Sequence, residues 1–415
     1  MRRTFDVDRY RARFPALLRQ ERGRPVVFLD GPGGSQVPDR VIEAVSGYLS
    51  RTNANTHGAF ATSRESDAVL EEAHAAAADL VGTRDPGCVV FGANMTTLTL
   101  ALARALSRTW APGDEVLVTR LDHDANVAPW LQAAADAGAT VRHVSFRAAD
   151  CTLDLDDFRA QLGPRTRLVA LGCASNAVGT INPVRELVRE AHAVGALVFL
   201  DAVHYAPHGL IDVEAWDCDF LCCSAYKFFG PHVGILYGRR TLLESLPAYK
   251  VRAAPDSLPH RWETGTQCHE GIAGMLAAIE YLADLGRDHD AEATGRRAAL
   301  VAAFGAIRAH EVGLSAHAAD VLEAVPALRL YGITDRTRFT ERTPTFSFTH
   351  AHRGPGALAA HLAHRGIYAW HGNFYALALT EALGLEPHGL LRVGLLHYNT
   401  RAEIDRLGDA LDELD

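Results

Sequence analysis

Leu197-Val198-Phe199-Leu200-Asp201-Ala202-Val203-His204 is an apolar run that stops at an acid, and Asp219-Phe220-Leu221-Cys222-Cys223-Ser224-Ala225-Tyr226-Lys227 is a second run with a lysine just past its end. Neither alternates apolar with polar residues, so each predicts a strand buried on both faces. Working outward, Glu115 to Thr119, Leu168 to Gly172 and Val233 to Tyr237 have the same character. Ala-rich stretches of helical period, Trp130 to Ala139 and Val184 to Ala193, lie between them. Pro112-Gly113-Asp114 and Gly195-Ala196 punctuate the entries into strands. This alternation predicts an α/β fold whose mostly parallel sheet is covered by helices on both faces.

Beyond residue 290 the pattern changes. Long helices rich in Ala, Leu and Arg are followed by a strand at Thr345 to Thr349, a helix near Ala357 to Arg365, a strand around Leu391 to Leu396 and a closing helix from Arg401. The expected organisation is an N-terminal segment, 1–25, packing with the small domain; a large domain, 26–290; and a smaller α+β C-terminal domain, 291–415. No internal repeat and no long Pro/Gly/Ser linker appears, so the two domains are expected to pack tightly.

A net charge of −9 disfavours nucleic acid or an anionic membrane as partner, because both recruit excess Lys and Arg. A small-molecule partner fits better. Seven cysteines, an odd number in 415 residues, do not make a disulfide framework and point to a reducing compartment. The start, Met1-Arg2-Arg3-Thr4-Phe5-Asp6, has basic residues with no apolar stretch behind them, and no uncharged apolar segment is long enough to span a bilayer. A cytoplasmic location is expected.

In open α/β sheets ligands bind beyond the carboxyl ends of the strands. Four polar segments fall there: Asp201 to His204; Ser224-Ala225-Tyr226-Lys227; Leu121-Asp122-His123-Asp124; and Gly92-Ala93-Asn94-Met95-Thr96-Thr97, which opens a helix. Singly, each reads as a solvated cap or an ion pair. Together they supply what pyridoxal phosphate needs: an amine for an imine (Lys227), a carboxylate for the ring nitrogen (Asp201), a group to stack on the ring (His123), and a helix N-terminus for the phosphate (Asn94, Met95, Thr96, with Ser224).

At this point the residues resemble a family. The order His123, Asn176, Asp201, Lys227, Arg392, within a similarity running from Phe28-Leu29-Asp30-Gly31-Pro32 to Tyr398-Asn399-Thr400, is similar to the fold-type I pyridoxal-phosphate enzymes of the class V aminotransferase superfamily. The nearest group is the cysteine desulfurases and a cysteine desulfurase-like subgroup. The resemblance implies that Lys227 is the Schiff-base lysine, Asp201 the ring-nitrogen partner and His123 the stacking and proton-moving histidine. It puts His204 and Tyr226 beside the cofactor, where desulfurases carry glutamine and histidine respectively. Asn176 would face the substrate, and Arg392 would bind its carboxylate. Arg261-Trp262-Glu263-Thr264-Gly265-Thr266 resembles a segment whose threonine, Thr266, reaches the phosphate of a neighbouring subunit, which implies a homodimer.

The departure that matters most is in one loop. Desulfurases carry a persulfide-forming cysteine shortly before the carboxylate-binding arginine, whereas this chain reads Tyr368-Ala369-Trp370-His371-Gly372-Asn373-Phe374-Tyr375-Ala376-Leu377, and no cysteine follows residue 268. Asn53 to Phe60, with His57, also departs from the family loop. Trp370, His371, Asn373 and Tyr375 are expected to form a substrate lid, the alternative being a packed aromatic turn; His57, His371 and Asn373 are substrate-contact candidates. The expected activity is a C–S lyase acting by β-elimination on an amino acid, with transamination or carbon–carbon cleavage, including decarboxylation, as alternatives. Two other classes stand beside it: a metal hydrolase using Asp122, His123, Asp124, His204 and His208, which would leave Lys227 idle, and a catalytically silent cofactor-binding protein.

Overall fold

The computed structural model describes residues 5 to 414. Met1 to Thr4 and Asp415 lie outside the described residues, and with them the first part of the expected segment 1–25. The large domain comprises α1 (Asp39–Gly47), α2 (Ala61–Val81), β1 (Val89–Gly92), α3 (Met95–Ser107), β2 (Glu115–Thr119), α4 (Ala128–Ala137), β3 (Thr140–Val144), β4 (Thr166–Gly172), α5 (Val184–Ala193), β5 (Leu197–Asp201), β6 (Phe220–Ser224), β7 (Gly234–Gly238) and α6 (His269–His289). Its seven strands lie in the order β1-β7-β6-β5-β4-β2-β3. All pairings are parallel except those of β7 with β6 and β1. The link from Ser224 to Gly234 is too short for the crossover a parallel neighbour requires, so β7 runs antiparallel.

Period-two alternation inside the apolar runs sorts side chains to the two faces. Val116, Val118, Leu168, Phe199 and Phe220 pack with Leu98, Leu102, Trp130 and Ala133 of α3 and α4. Leu117, Val169, Val198, Leu200 and Leu221 pack with Ala73, Ala77, Leu187, Ile279 and Leu282 of α2, α5 and α6 on the other side. The helix expected at Trp130 to Ala139 begins two residues earlier and is stopped by Gly138, whose φ of +70° provides the left-handed cap.

The C-terminal part contains α7 (Gly295–Glu323), β8 (Leu328–Tyr331), β9 (Thr345–His350), α8 (Pro355–His364), β10 (Trp370–Gly372), β11 (Leu390–Gly394) and α9 (Arg401–Asp412), with an antiparallel sheet in the order β8-β9-β11-β10. α7 serves both cores. Leu300, Phe304 and Ile307 pack into the large one, and Leu314, Ala318 and Leu322 into the small one. The residue-290 division therefore falls in the turn ahead of a helix that bridges the two parts. The N-terminal segment touches both: Phe14 lies against Phe229, Tyr281 and Tyr398, and Arg11 pairs with Glu403 at 3.0 Å.

Gly286 lets α6 and α7 meet. A Cβ there would collide with the carbonyl oxygen of Ala299, which is backbone and cannot swing away. Gly286→Ala is expected to destabilise the protein by about 1–3 kcal/mol, as overpacking typically does, read as a lower denaturant midpoint at unchanged slope.

Candidate active site

The carboxyl ends of β5 and β6 carry the central pair. Asp201 closes β5 in register with Gly172 and Cys222, so it lies at the carboxyl end of the sheet. Its Oδ1 accepts the Val203 N–H at 2.8 Å, which leaves Oδ2 for another partner. Burial raises its pKa to about 6, against the lowering effects of that hydrogen bond and of the Lys227 charge. Lys227 follows β6 in a short 3₁₀ turn and donates to the Pro32 carbonyl at 2.5 Å. Its ammonium lies 4.7 Å from the Tyr226 ring centroid, and that ring stacks on His232. Burial, then the Arg392 charge, pulls the Lys227 pKa down to about 7, so a large fraction is neutral amine near pH 7.

His123, after β2, accepts the Ala125 N–H through Nδ1 at 3.0 Å. Burial, then the charges of Lys227 and Arg392, lower its pKa to about 4, so the ring is neutral and carries its proton on Nε2. Asp122 beside it points into the core. It accepts Gly172 N–H at 2.9 Å and Asn126 Nδ2 at 3.1 Å, and burial, then the Asp201 charge, raises its pKa to about 8. At β1, Asn94 caps α3 by accepting Thr97 N–H at 2.9 Å, and Met95 N–H donates to Ser224 Oγ at 3.0 Å. The Ser224 hydroxyl proton and the first turn of α3 thus meet at one spot, with Thr96 beside them.

The small domain supplies the opposite wall. Arg392 of β11 is buried and donates to the Asn176 carbonyl at 2.8 Å, while Asn176 Nδ2 donates to the Phe374 carbonyl at 2.9 Å. The Arg392 guanidinium stands 4.0 Å over the Phe374 ring centroid. Burial lowers the Arg392 pKa to about 9, which still leaves it protonated at pH 7. His204 Nε2 is hydrogen-bonded to the hydroxyls of Thr343 (3.2 Å) and Thr345 (3.1 Å).

Asn94, Met95, Thr96, His123, Asn176, Asp201, His204, Ser224, Tyr226, Lys227, His371, Asn373 and Arg392 all line one cavity of about 570 Å³. His57 and Thr266 do not. They line a second cavity, with Asp67, His74, His260 and Glu263. Sequence reasoning missed Pro32, whose carbonyl holds Lys227, and Phe374 beneath Arg392; the Gly31-Pro32-Gly33-Gly34 turn was the available signal for the first. The metal-hydrolase reading does not survive the geometry: Asp122 is turned away, and among the described residues no group of three or more His, Cys, Asp or Glu is able to hold a metal ion.

Two buried polar atoms in the cavity wall, Asn176 Oδ1 and Arg392 Nε, lack hydrogen-bond partners. Buried polar groups are rarely left so unless something else pairs with them. Together with the depressed amine of Lys227 and the uncommitted oxygen of Asp201, they make a donor set that fits pyridoxal phosphate and an amino-acid carboxylate.

Comparison with known proteins agrees. The chain matches the aminotransferase class-V family over residues 27–407. It is 32% identical to a cysteine desulfurase of Dickeya dadantii, covering 97% of this chain and 95% of that one, and 32% identical to the aminotransferase-like protein FGM3 of Gibberella zeae, covering 99% and 98%. Its fold superposes on that of the cysteine desulfurase CsdA from Escherichia coli, crystallised in an S-sulfonic acid form, with a TM-score of 0.85, 28% identity and coverage of 99% and 98%. An apo cysteine desulfurase from Thermococcus onnurineus gives 0.85 at 25% identity, covering 94% of each chain. Fold, site and relatives together make this chain a member of the class-V aminotransferase family, a fold-type I enzyme that depends on pyridoxal 5'-phosphate.

Proposed function

We propose that the protein is a C–S lyase that takes an L-amino acid bearing sulfur on Cβ and expels the sulfur by β-elimination, with no persulfide formed on the enzyme. The supporting observation is a cavity that joins Lys227 and Arg392 and has no cysteine in its lining. Cys88, Cys151, Cys173, Cys218, Cys222 and Cys223 are buried, which raises their thiol pKa values, and exposed Cys268 lies outside the cavity with its pKa also raised, first by partial burial. Such thiols are poor nucleophiles.

Lys227 would hold the cofactor, Ser224 and the start of α3 would receive its phosphate, and Asp201 would offer Oδ2 to its ring nitrogen. When bound, pyridoxal phosphate would supply an electron sink for the pair left at Cα. Arg392 grips the substrate carboxylate, and Asn176 fixes the orientation of the Cα–H bond. The neutral Lys227 amine would take the Cα proton, and the electron pair left on carbon would break Cβ–S. The departing thiolate would take that proton back from the Lys227 ammonium, and the net reaction consumes one water and gives thiol, pyruvate and ammonia. Because the base must be neutral, the rate is expected to rise with pH to a plateau, and burial, which pulls the Lys227 pKa down, sets that rise below the range of an ordinary lysine, checked by a kcat–pH profile.

The test is to supply S-methyl-L-cysteine and measure thiol and pyruvate. Equal amounts of both, with the Cys268→Ser variant as active as the parent, support the reading. Sulfide release from free cysteine that depends on a protein thiol overturns it, and one keto acid per cofactor with accumulation of the amine form of the cofactor turns the assignment to a transaminase. Failure with every amino acid leaves the silent cofactor-binding protein. We also infer a homodimer. His57 and Thr266 lie away from their own subunit's cavity, and Ile42, Leu49, Phe60 and Val251 are 49%, 51%, 57% and 70% exposed. Light scattering at twice the 44.9 kDa chain mass is the expected result.

A further inference from the structure

We propose that Trp370 and Tyr375 form a two-ring clamp at the cavity mouth that selects substrates whose sulfur carries a neutral, planar aromatic group. The inference rests on the C–S lyase reading and adds the substrate class. Both rings line the cavity, yet Trp370 is 54% and Tyr375 71% exposed. Leaving two large rings in water forgoes burial that the fold achieves elsewhere, and at Tyr375 the backbone is strained to hold the ring there. Phe374 and Tyr375 have φ of +57° and +59°, two consecutive side-chain-bearing residues in the left-handed region. Such strain persists only where the surroundings over-determine it. Here Asn373 accepts Tyr375 N–H at 3.1 Å and donates to Glu386 at 3.2 Å. Asp124 N–H donates to the Tyr375 carbonyl at 2.7 Å, and Asn176 holds the Phe374 carbonyl.

The rings are also aimed. Tyr375 stacks on His123, with centroids 5.3 Å apart and planes 26° apart. Trp370 lies across Gly33, where a Cβ would come within 2.6 Å of its indole Nε1. The charged side chains in the cavity lining are Asp201, Lys227 and Arg392, all committed to cofactor or substrate backbone. Nothing charged remains for the substituent on sulfur, whereas aromatic faces do, and a ring stacked on them gains beyond simple burial.

The test is an absorbance titration of the holoenzyme with L-phenylalanine and L-alanine, neither of which has a leaving group on Cβ, so binding is read without elimination. Phenylalanine is expected to bind about tenfold tighter, as stacking on two rings predicts. Trp370→Ala and Tyr375→Ala each narrow the gap, while Tyr375→Phe keeps it. Equal affinities in the parent, or a gap that neither alanine variant narrows, overturns the clamp; so does loss of the dimer in Tyr375→Ala at unchanged discrimination, which would assign the ring to a subunit contact. Assays of S-benzyl- and S-methyl-L-cysteine separate the two readings. A phenylalanine preference with neither thioether cleaved upholds the clamp and ends the lyase reading, whereas cleavage of S-methyl-L-cysteine without aromatic preference does the reverse.

Discussion

Lys227→Ala is expected to lower turnover of every amino acid by at least about 10⁴-fold, the upper end of what loss of a positioned base costs, because in the proposed reading the same amine also anchors the cofactor. Single-turnover assays and the loss of borohydride-bleachable visible absorption check it; retention of either would mean the anchor lies elsewhere. A stability effect of opposite sign accompanies it. Burial lowers the Lys227 pKa from 10.5 to about 7, so in the cofactor-free protein the buried ammonium is a cost, full below about pH 7 and fading as pH rises toward 10.5. Lys227→Met is therefore expected to stabilise the cofactor-free protein most in that lower range, read as a higher denaturant midpoint. Losing activity while gaining stability is the mark of a residue kept for chemistry.

Arg392→Met is expected to raise KM for amino acids about 10²–10³-fold, because the proposed function makes Arg392 one partner of a buried charged pair with the substrate carboxylate. A second effect comes through the electric field. The Arg392 charge helps to depress the Lys227 pKa, so its removal moves the rising limb of the rate–pH profile to higher pH. A variant that merely disturbed packing would raise KM without moving that limb.

The site was legible where chemistry sits at strand ends. Asp201, Ser224 and Lys227 stood out because a strand buried on both faces tolerates no polar residue until it leaves the sheet, and the residue that breaks the run marks the cavity. Arg392 and Asn176 were reached only through the family resemblance, since nothing local distinguishes an arginine in a small antiparallel sheet. Pro32 escaped because its contribution is a backbone carbonyl, and Phe374 because its role depends on the guanidinium above it.

The amino-acid order alone determined the α/β character, the buried strands, the placing of a lysine and a carboxylate at neighbouring strand ends, and the absence of a cysteine from the loop at 368–377, since each is a local pattern or a residue identity. Tertiary structure decided that Thr266 and His57 share a different cavity, that α7 bridges both cores, and that Phe374 and Tyr375 adopt left-handed backbone at the mouth. Those features depend on contacts between residues hundreds of positions apart, such as Asn176 with Phe374 and Asp124 with Tyr375. Periodicity reports which side of a segment is buried; it carries no record of what buries it.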